Sequence, residues 1–497
     1  MYVKKLKMNG VRGFDGRRKV LLDFARPDGS YAGWTVLAGR NGSGKTTLLR
    51  AIAICIIGQR LATQVEESLE SWLSESQKSG SVTLDLVSDP NWDFGITEEY
   101  SGPVSAHWSY GRRKPTSRAF EEALRLRMVA QADSGEDFDV DSILSYSRTS
   151  FKAPESLDEI LWSGQQFPGW FFAAYGPFRR LTDGNSENDR PQISAKEARS
   201  HRVPDYSEKL MAVRTLFSES ESLSESVAWL INLHMRRLQA RHESFDTPEL
   251  DRVNGLMDVI FELLQDGLLP ESYRVERVDL SGLWIRDLDS GQLMPLRQMS
   301  DGYRTVVALV LDIIRRMASC YPFIEDFSIV QQNGRPTLRQ PGVVLIDEVD
   351  AHLHVSWQQR IGTWLKEHFP RVQFIVTTHS PYICQAADEN GLIRLPGPKE
   401  ASPPTVVSPD LYRRVVYGTG DDAVISELFG ADTLYSSRAQ GLRARLVSLE
   451  TKVFSGAYSE SELEELRQLK RRLSSSATTR VEEISARLIG ENREGKD

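Results

Sequence analysis

Cysteine is scarce in this sequence: only Cys55, Cys320 and Cys384 occur among 497 residues, and they lie far apart. This spacing excludes a disulfide framework and a zinc site built on paired cysteines, and it is typical of a reducing compartment. No apolar run is long enough to span a bilayer, and the first ten residues lack the apolar core of a signal peptide. We therefore expect a soluble cytoplasmic protein with no membrane partner.

An excess of positive charge is also absent, since the formal net charge is -8 at pH 7. This charge argues against a uniformly basic nucleic-acid coat but leaves a local patch open. Two basic clusters are candidates for DNA contact, residues 112–114 (Arg-Arg-Lys) and Arg236-Arg237 with Arg241. Solvated surface is the alternative for both clusters.

A glycine-rich loop, "GRNGSGKTT", separates a short apolar run at 34–38 from a helical pattern at 46–57. Its spacing is G-x-x-x-x-G-K-T, in which glycines let the backbone turn its N–H groups toward an anion. Lys45 adds a charge for phosphate oxygens, and Thr46 offers a hydroxyl to Mg²⁺. A chance glycine turn is the alternative. The predicted nucleoside triphosphate site comprises Gly39, Arg40, Asn41, Gly42, Ser43, Gly44, Lys45, Thr46 and Thr47.

A second motif, "GVVLIDEVDAHLH", begins at Gly342 with an apolar run at 343–346 that predicts a buried strand. The strand ends in Asp347, which can hold Mg²⁺, and Glu348, which can polarise an attacking water molecule. Solvated acids at a strand end are the alternative. His352 and His354 are expected to flank the following turn and are not predicted to bind metal.

Together the two motifs resemble ATPases of the ATP-binding-cassette type. In that family a histidine after the next strand contacts the γ-phosphate of ATP. The run "VQFIVTTHS", residues 372–380, has His379 at this place. The resemblance therefore implies a catalytic role for His379 beside Glu348.

The segment "MSDGYRTVVALVLDIIRR" predicts a long amphipathic helix from Met299, with Ser300 as its N-cap and free N–H groups that attract an anion. In cassette ATPases this helix start completes the ATP site of a partner subunit in a head-to-tail dimer. The usual signature L-S-G-G-Q reads Met-Ser-Asp-Gly-Tyr here, which departs from the transporter pattern. The resemblance implies that Ser300 and Gly302 bind the partner's ATP.

More narrowly, the chain resembles the Rad50/SMC-like branch, and within it the ATPases of bacterial anti-phage Septu systems and their relatives encoded beside retrons. The likeness rests on "VKKLKMNGVRGF", "LIDEVDAHLHVSWQQRI" and "QFIVTTHSPYI". It implies an α/β fold, namely an ABC-type P-loop ATPase head with a mixed sheet, flanking helices, a helical insertion and a helical C-terminal tail. It also implies ATP and Mg²⁺ as cofactors and places Arg12 near the nucleotide.

Four segments are expected along the chain. An ATPase lobe with the glycine loop covers 1–115, and a mostly helical insertion with one core strand near 169–176 covers 116–275. A second lobe with the signature, Asp347 and His379 covers 276–395, and a connector with a helical tail covers 396–497. The tail is either a hairpin packed on the ATPase body or an oligomerisation or partner-docking element.

The resemblance implies an ATP-hydrolysing ATPase that dimerises head to tail and regulates a separate effector, an HNH-type nuclease, in anti-phage defence. Residues after 390 indicate a connector and helices without the acidic strands of a nuclease, which favours a separate effector. Two alternatives stay open. One is a Rad50/SMC-like DNA-binding repair or clamp ATPase, and the other is a scaffold that holds ATP without turnover.

Overall fold

The computed structural model describes residues 1–66, 69–75, 77–93, 104–111, 149–152, 169–179, 207–218, 223–242, 248–321, 330–332, 334–429 and 435–473. The chain divides into two compact units, Met1–Gly430 and Ala431–Asp497. The strands are β1 (Tyr2–Asn9), β2 (Val20–Asp23), β3 (Gly33–Gly39), β4 (Ser79–Val87), β5 (Val104–Gly111), β6 (Thr149–Lys152), β7 (Phe172–Tyr175), β8 (Tyr273–Asp279), β9 (Gly282–Asp287), β10 (Leu293–Pro295), β11 (Val330–Gln332), β12 (Arg335–Thr337), β13 (Gly342–Ile346), β14 (Val372–Thr378), β15 (Leu392–Leu395) and β16 (Thr405–Val406).

Helices lie between and after these strands along the chain. They are α1 (Lys45–Val65), α2 (Ser207–Phe217), α3 (Ser224–His242), α4 (Pro248–Gln265), α5 (Asp301–Cys320), α6 (Val355–Gln358), α7 (Ile361–His368), α8 (Pro381–Cys384), α9 (Pro409–Val416), α10 (Gly420–Ile425), α11 (Ser437–Phe454) and α12 (Glu460–Arg472).

The first unit is built on a six-stranded sheet with the order β16-β15-β3-β14-β13-β7. β16 pairs antiparallel with β15, and the other neighbours are parallel, so the sheet is mixed. Every residue of β13 and β14 is buried, as expected of strands covered on both faces. The apolar run at 343–346 and the run at 372–380 correctly predict two central strands, although β14 also contains Gln373, Thr377 and Thr378.

The two faces of this sheet pack against different layers, because successive side chains of a strand point to opposite sides. Val36 and Ala38 of β3 belong to a core that includes residues of α3, α4, α5 and α7. Leu37 belongs to a second core that includes residues of α1, β1 and β4. The α/β fold with a mixed central sheet and flanking helices is as the sequence predicts.

A second sheet in this unit has the order β2-β1-β4-β5-β6 and is antiparallel throughout. A smaller antiparallel sheet, β10-β9-β8, lies immediately before α5. Its β9–β10 hairpin turns at residues 288–292, which include Asp289, Ser290 and Gly291.

The interpretation of everything after residue 390 as connector and helices is wrong for two short strands. β15 pairs with β3, the strand that carries the glycine loop, and β16 extends the sheet beyond it. Four residues that include Arg394 are too few to show a buried-strand pattern, which explains why the sequence does not reveal β15. Asp421 and Asp422 lie in the first turn of the helix α10.

The second unit is described over 435–473, where α11 and α12 form a helical hairpin. Leu449, Leu466 and Leu469 are its buried core, and Leu463 and Leu473 pack against them. Arg445 pairs with Glu465 at 2.8 Å across the hairpin. Among all described helices of the chain, none has both the length and the apolar character needed to cross a bilayer.

Candidate functional site

Five strands of the central sheet end at the same edge. β7, β13, β14, β3 and β15 are parallel, so the segments that follow them emerge side by side. Ligands of open α/β sheets bind at this edge, outside the carboxyl ends of the strands. The glycine loop follows β3, Asp347 and Glu348 follow β13, and His379 follows β14. Three separate sequence motifs thus meet at one edge.

Two glycines shape the loop after β3. Gly42 and Gly44 have φ angles of 74° and 94°, in the left-handed region that other residues rarely adopt. A Cβ atom on Gly44 would lie 2.4 Å from a ring carbon of Phe14, so a larger residue would clash. The turn leads directly into α1, whose first N–H groups have no acceptor within the helix. Such a helix start attracts anions.

Lys45 lies in this turn and is 7% exposed. Its Nζ donates to the carbonyl oxygen of Gly39 at 2.9 Å and to that of Arg40 at 3.3 Å. Burial lowers the pKa of Lys45 to about 8, although Asp347 and Glu348 act in the opposite direction. A phosphate bound in the loop would stabilise the charge of this partly desolvated ammonium group.

The remaining residues of the loop differ in their exposure. Arg40 and Asn41 are exposed, and the Arg40 Nε donates to the carbonyl oxygen of Phe429 at 3.2 Å. Thr47 is half-buried. Ser43 is buried, and its Oγ has no hydrogen-bond partner in the described part of the chain. A buried hydroxyl of this kind gains stability from a bound polar ligand.

Thr46 and Asp347 connect the glycine loop to β13. Thr46 Oγ1 donates to Asp347 Oδ2 at 2.8 Å, and Thr377 Oγ1 donates to Asp347 Oδ1 at 2.5 Å. Hydroxyl and carboxylate oxygens are the ligands that Mg²⁺ prefers, so this pair fits the predicted ion. The described residues contain no group of three His, Cys, Asp or Glu side chains arranged to hold a metal. Mg²⁺ commonly takes one or two protein ligands and completes its shell with phosphate oxygens and water.

Glu348 stands next to this pair in an uncommon backbone conformation, with φ of 45°. Its N–H donates to Thr377 Oγ1 at 2.7 Å, so Thr377 contacts both acids that follow β13. Partial burial raises the pKa of Glu348, and the nearby charges of Asp347 and Asp350 raise it further. A carboxylate with a raised pKa is better able to accept a proton from water.

His379 is exposed at the end of β14. Its backbone N–H donates to Asp350 Oδ1 at 3.3 Å, and Thr378 Oγ1 donates to the same oxygen at 2.5 Å. Desolvation of part of the imidazole lowers the pKa of His379, and the positive charge of Lys45 lowers it further. His379 therefore lies at the same edge as a neutral imidazole that can donate a hydrogen bond at pH 7.

The start of α5 has the expected N-cap residue but not a capping hydrogen bond. Ser300 occupies the N-cap position and is exposed, but its side chain makes no capping hydrogen bond. A Cβ atom on Gly302 would lie 3.0 Å from the carbonyl oxygen of His352, so the helix start packs against the turn after β13. The first N–H groups of α5 have no acceptor within the helix.

Arg12 contacts residues at and after the end of α1. Its guanidinium lies 4.5 Å from the ring centroid of Trp72, donates to Ser71 Oγ at 3.4 Å and lies 3.6 Å from Glu66 Oε1. The stacking on Trp72 is a common arrangement, because a guanidinium is readily held on an aromatic face. The placement of Arg12 near the nucleotide stays a prediction.

The two basic clusters predicted as candidates for DNA contact are only partly described by the structure. Residues 112–114 lie outside the described residues. Arg236 is exposed on α3, and Arg237 lies 4.0 Å from Asp258 of α4. Arg241 lies on α3, but its side chain is not described.

Sequence reasoning missed two buried groups near the edge. Arg179, four residues after β7, is 1% exposed and donates to the backbone around Glu348. Tyr175, the last residue of β7, donates to Asp312 Oδ2 of α5 at 2.9 Å. No local pattern shows that either side chain is buried, since Glu348 and Asp312 lie more than a hundred residues away in the chain. An arginine four residues after an apolar strand is the signal that the sequence offers for Arg179.

A protein-family model described as "AAA domain, putative AbiEii toxin, Type IV TA system" matches residues 34–385. The chain is 25% identical over 418 residues to the "Retron Ec83 probable ATPase" of Escherichia coli, covering 78% of this chain and 70% of that protein. It is 23% identical over 381 residues to the Septu protein PtuA of Bacillus mycoides, covering 76% of this chain and 38% of that protein. The predicted resemblance to Septu and retron ATPases is thereby confirmed.

Among solved structures, an SMC head bound to the C-winged helix domain of ScpA matches with a TM-score of 0.44 and 15% identity. The match covers 82% of this chain and 97% of that one. The family model spans more than half of the chain and includes the glycine loop, Asp347, Glu348 and His379. This chain therefore belongs to the AAA-domain family that the model describes.

Proposed function

We propose that this chain is an ATPase that binds ATP with Mg²⁺ at the carboxyl edge of its central sheet and hydrolyses it to ADP and phosphate. The observation that carries the proposal is the hydrogen-bonded series Thr46, Asp347, Thr377 and Glu348. It joins the end of the glycine loop, a carboxylate suited to Mg²⁺ and a carboxylate suited to water activation. The family membership and the similarity to the retron Ec83 probable ATPase support the same activity.

Each residue has a distinct role in this proposal. The N–H groups of the glycine loop and the Lys45 ammonium group bind the phosphates, and Thr46 and Asp347 hold Mg²⁺. Bound Mg²⁺ would neutralise charge that develops on the phosphate oxygens. Glu348 accepts a proton from the attacking water, and His379 donates a hydrogen bond to the γ-phosphate.

We further propose that two chains pair head to tail, so that Ser300 and Gly302 of one complete the ATP site of the other. The start of α5 supports this step. Ser300 is exposed, and its side chain makes no capping hydrogen bond to the first N–H groups of the helix, so these groups can donate to a bound anion. Negative charge is stabilised at such a helix start. On this account each site draws its phosphate loop from one subunit and its signature helix from the other.

The cellular role that we propose is regulation of a separate nuclease effector in anti-phage defence. Its support is the similarity to a Septu protein and to a retron ATPase. The chain would control the effector through its ATP-bound and ADP-bound states. Co-purification of the chain with the product of a neighbouring nuclease gene, dependent on ATP, would test this role.

The activity itself is tested by Glu348→Gln. We expect this variant to bind ATP with Mg²⁺ as wild type does, because Lys45, Thr46 and Asp347 are kept. Hydrolysis should fall by about 10²- to 10⁴-fold, the usual contribution of a general base. Phosphate release and equilibrium ATP binding are the two measurements.

Glu367→Gln is the matched control, because Glu367 is a carboxylate on α7 that pairs with Arg335 away from this edge. It should release phosphate at the wild-type rate. Wild-type turnover by Glu348→Gln would rule out Glu348 as the base.

A further inference from the structure

Arg179 is a buried arginine that binds backbone carbonyl oxygens. Its side chain follows β7 and is 1% exposed. Nη1 donates to the oxygens of Gly176 and Asp347, both at 2.7 Å. Nη2 donates to the oxygen of Glu348 at 3.0 Å and to that of Val349 at 3.4 Å. One guanidinium thus holds three consecutive peptide groups after β13.

Such a group is costly to bury. Desolvation lowers the pKa of Arg179 to about 10, although the charges of Asp347, Asp350 and Glu348 act against this shift. These four hydrogen bonds of Arg179 go to carbonyl dipoles, which compensate a buried charge less well than a carboxylate in contact. The burial is therefore better explained by what Arg179 holds in place than by its contribution to stability.

The held segment contains the unusual backbone of Glu348. Its φ of 45° lies in the left-handed region, which is uncommon for a residue with a side chain and persists where the surroundings impose it. Arg179 binds the carbonyl oxygens on both sides of this residue, and Thr377 Oγ1 binds its N–H at 2.7 Å. Arg179 and Thr377 thus hold the peptide groups on both sides of Glu348.

The base of Arg179 is itself rigidly placed. A Cβ atom on Gly176 would lie 2.0 Å from the carbonyl oxygen of Thr215, so the chain there packs directly on the backbone of α2. Thr215 Oγ1 donates to the carbonyl oxygen of Ala174 in β7 at 3.1 Å. The guanidinium therefore extends from a fixed anchor to the segment that contains Glu348.

We propose that Arg179 is a positioning residue for the hydrolysis reaction: it fixes the backbone of 347–349 and thereby aims the Glu348 carboxylate at the attacking water. The effect on hydrolysis rests on the proposed function, because it requires Glu348 to be the base. The hold on the backbone does not depend on that function.

The kinetic test compares Arg179→Met, Arg179→Lys and Arg26→Met. Arg26 is a matched control: it is another buried arginine, and its Nη2 donates to Thr35 Oγ1 at 2.9 Å near the opposite edge of the sheet. Arg179→Met should lower kcat by about 10²-fold, as expected when a catalytic group is misplaced by about 1 Å, while KM and ATP affinity stay near wild type. Arg179→Lys should recover part of kcat, since an ammonium group can still reach one or two of the carbonyl oxygens.

Arg26→Met should keep the wild-type kcat per folded molecule. An equal loss in Arg26→Met and Arg179→Met would overturn the proposal, because the loss would then follow from removing any buried arginine. A weakened ATP affinity with unchanged kcat in Arg179→Lys would overturn it too.

A double-mutant cycle tests whether Arg179 acts through Glu348. In a Glu348→Gln background, Arg179→Met should cause no further loss of the residual single-turnover rate. A second, independent loss of similar size would contradict action through Glu348.

Amide hydrogen exchange supplies a readout that does not require turnover. In Arg179→Met the amides of residues 347–351 should exchange faster than in wild type, and in Arg26→Met they should be unchanged. Unchanged exchange in Arg179→Met would overturn the proposed hold on the backbone. If wild type failed to hydrolyse ATP, the proposed function would fail, and this exchange measurement would still decide the role of Arg179.

Discussion

Asp312 combines deep burial with full charge compensation. It is 1% exposed on α5, accepts from Tyr175 at 2.9 Å, and pairs with Arg316 at 2.5 Å and Arg315 at 2.9 Å. Burial acts to raise the pKa of Asp312, but the two arginines outweigh it, so that the pKa lies below its usual value. This one carboxylate connects α5, the helix that Ser300 precedes, to the end of β7.

We expect Asp312→Asn to lower the free energy of unfolding by about 3 kcal/mol, because two arginines lose a partner in a buried setting. Chemical denaturation at pH 7 measures this change. Since the pKa of the folded state is the lower one, the stabilisation is present above the unfolded value of about 3.9 and is lost as pH falls through the folded value. Unfolding free energy should therefore fall with acidification below about pH 4 more steeply in wild type than in Asp312→Asn.

Asp301→Asn is the matched control, because Asp301 lies on the same helix with its side chain 85% exposed and pairs with Arg304 at 3.2 Å at the surface. It should change stability at pH 7 by less than about 0.5 kcal/mol, as is usual at exposed positions. Equal acid sensitivity of wild type and Asp312→Asn would show that Asp312 is not compensated as described.

Among the elements of the fold, the start of α5 is the one on which the proposal of a shared ATP site depends. Ser300→Arg should leave ATP binding at the same subunit's glycine loop intact. Hydrolysis should be lost, because the bulky side chain would occupy the place of the partner's γ-phosphate. Phosphate release and ATP binding by the isolated variant are the measurements.

A mixture of two variants tests the shared ATP site more directly. In a head-to-tail pair of Ser300→Arg and Lys45→Ala, one site carries both substitutions and the other carries neither, so mixing should restore part of the activity. Ser281→Arg, at an exposed turn between β8 and β9, is the control and should hydrolyse ATP as wild type does. Full hydrolysis by Ser300→Arg alone would contradict the shared site.

The elements differ in how far the sequence reveals them. β3, β13 and β14 are predictable because strands buried on both faces need continuous apolar runs, and the glycine loop is predictable because its turn needs residues without a Cβ atom. Ser300 is the N-cap residue of α5, as predicted, but its side chain makes no capping hydrogen bond, because a serine before a helix indicates that bond only on average. β15 is missed because it is short and acquires its partner, β3, from more than three hundred residues earlier.

At the scale of the whole molecule, the site is assembled from segments between residue 39 and residue 379 by the parallel order of the central sheet. The sequence predicts which residues have the right chemistry, and the sheet explains why they meet. The sequence does not predict the contacts of Arg179. Its partners are backbone carbonyl oxygens, which every residue type has, so no pattern of side chains reveals them. The roles assigned at this edge all depend on one property, the binding of ATP to the glycine loop.

The most direct test of the account is equilibrium binding of ATP with Mg²⁺, measured by isothermal titration calorimetry on wild type and Lys45→Ala. Removing a charge-assisted contact should weaken binding by about 10- to 100-fold. Lys366→Ala is the control, because Lys366 is a half-buried lysine that contacts Asp388 at 2.7 Å near the other edge of the sheet. The account predicts wild-type affinity for Lys366→Ala and weakened affinity for Lys45→Ala; unchanged affinity in Lys45→Ala would contradict it.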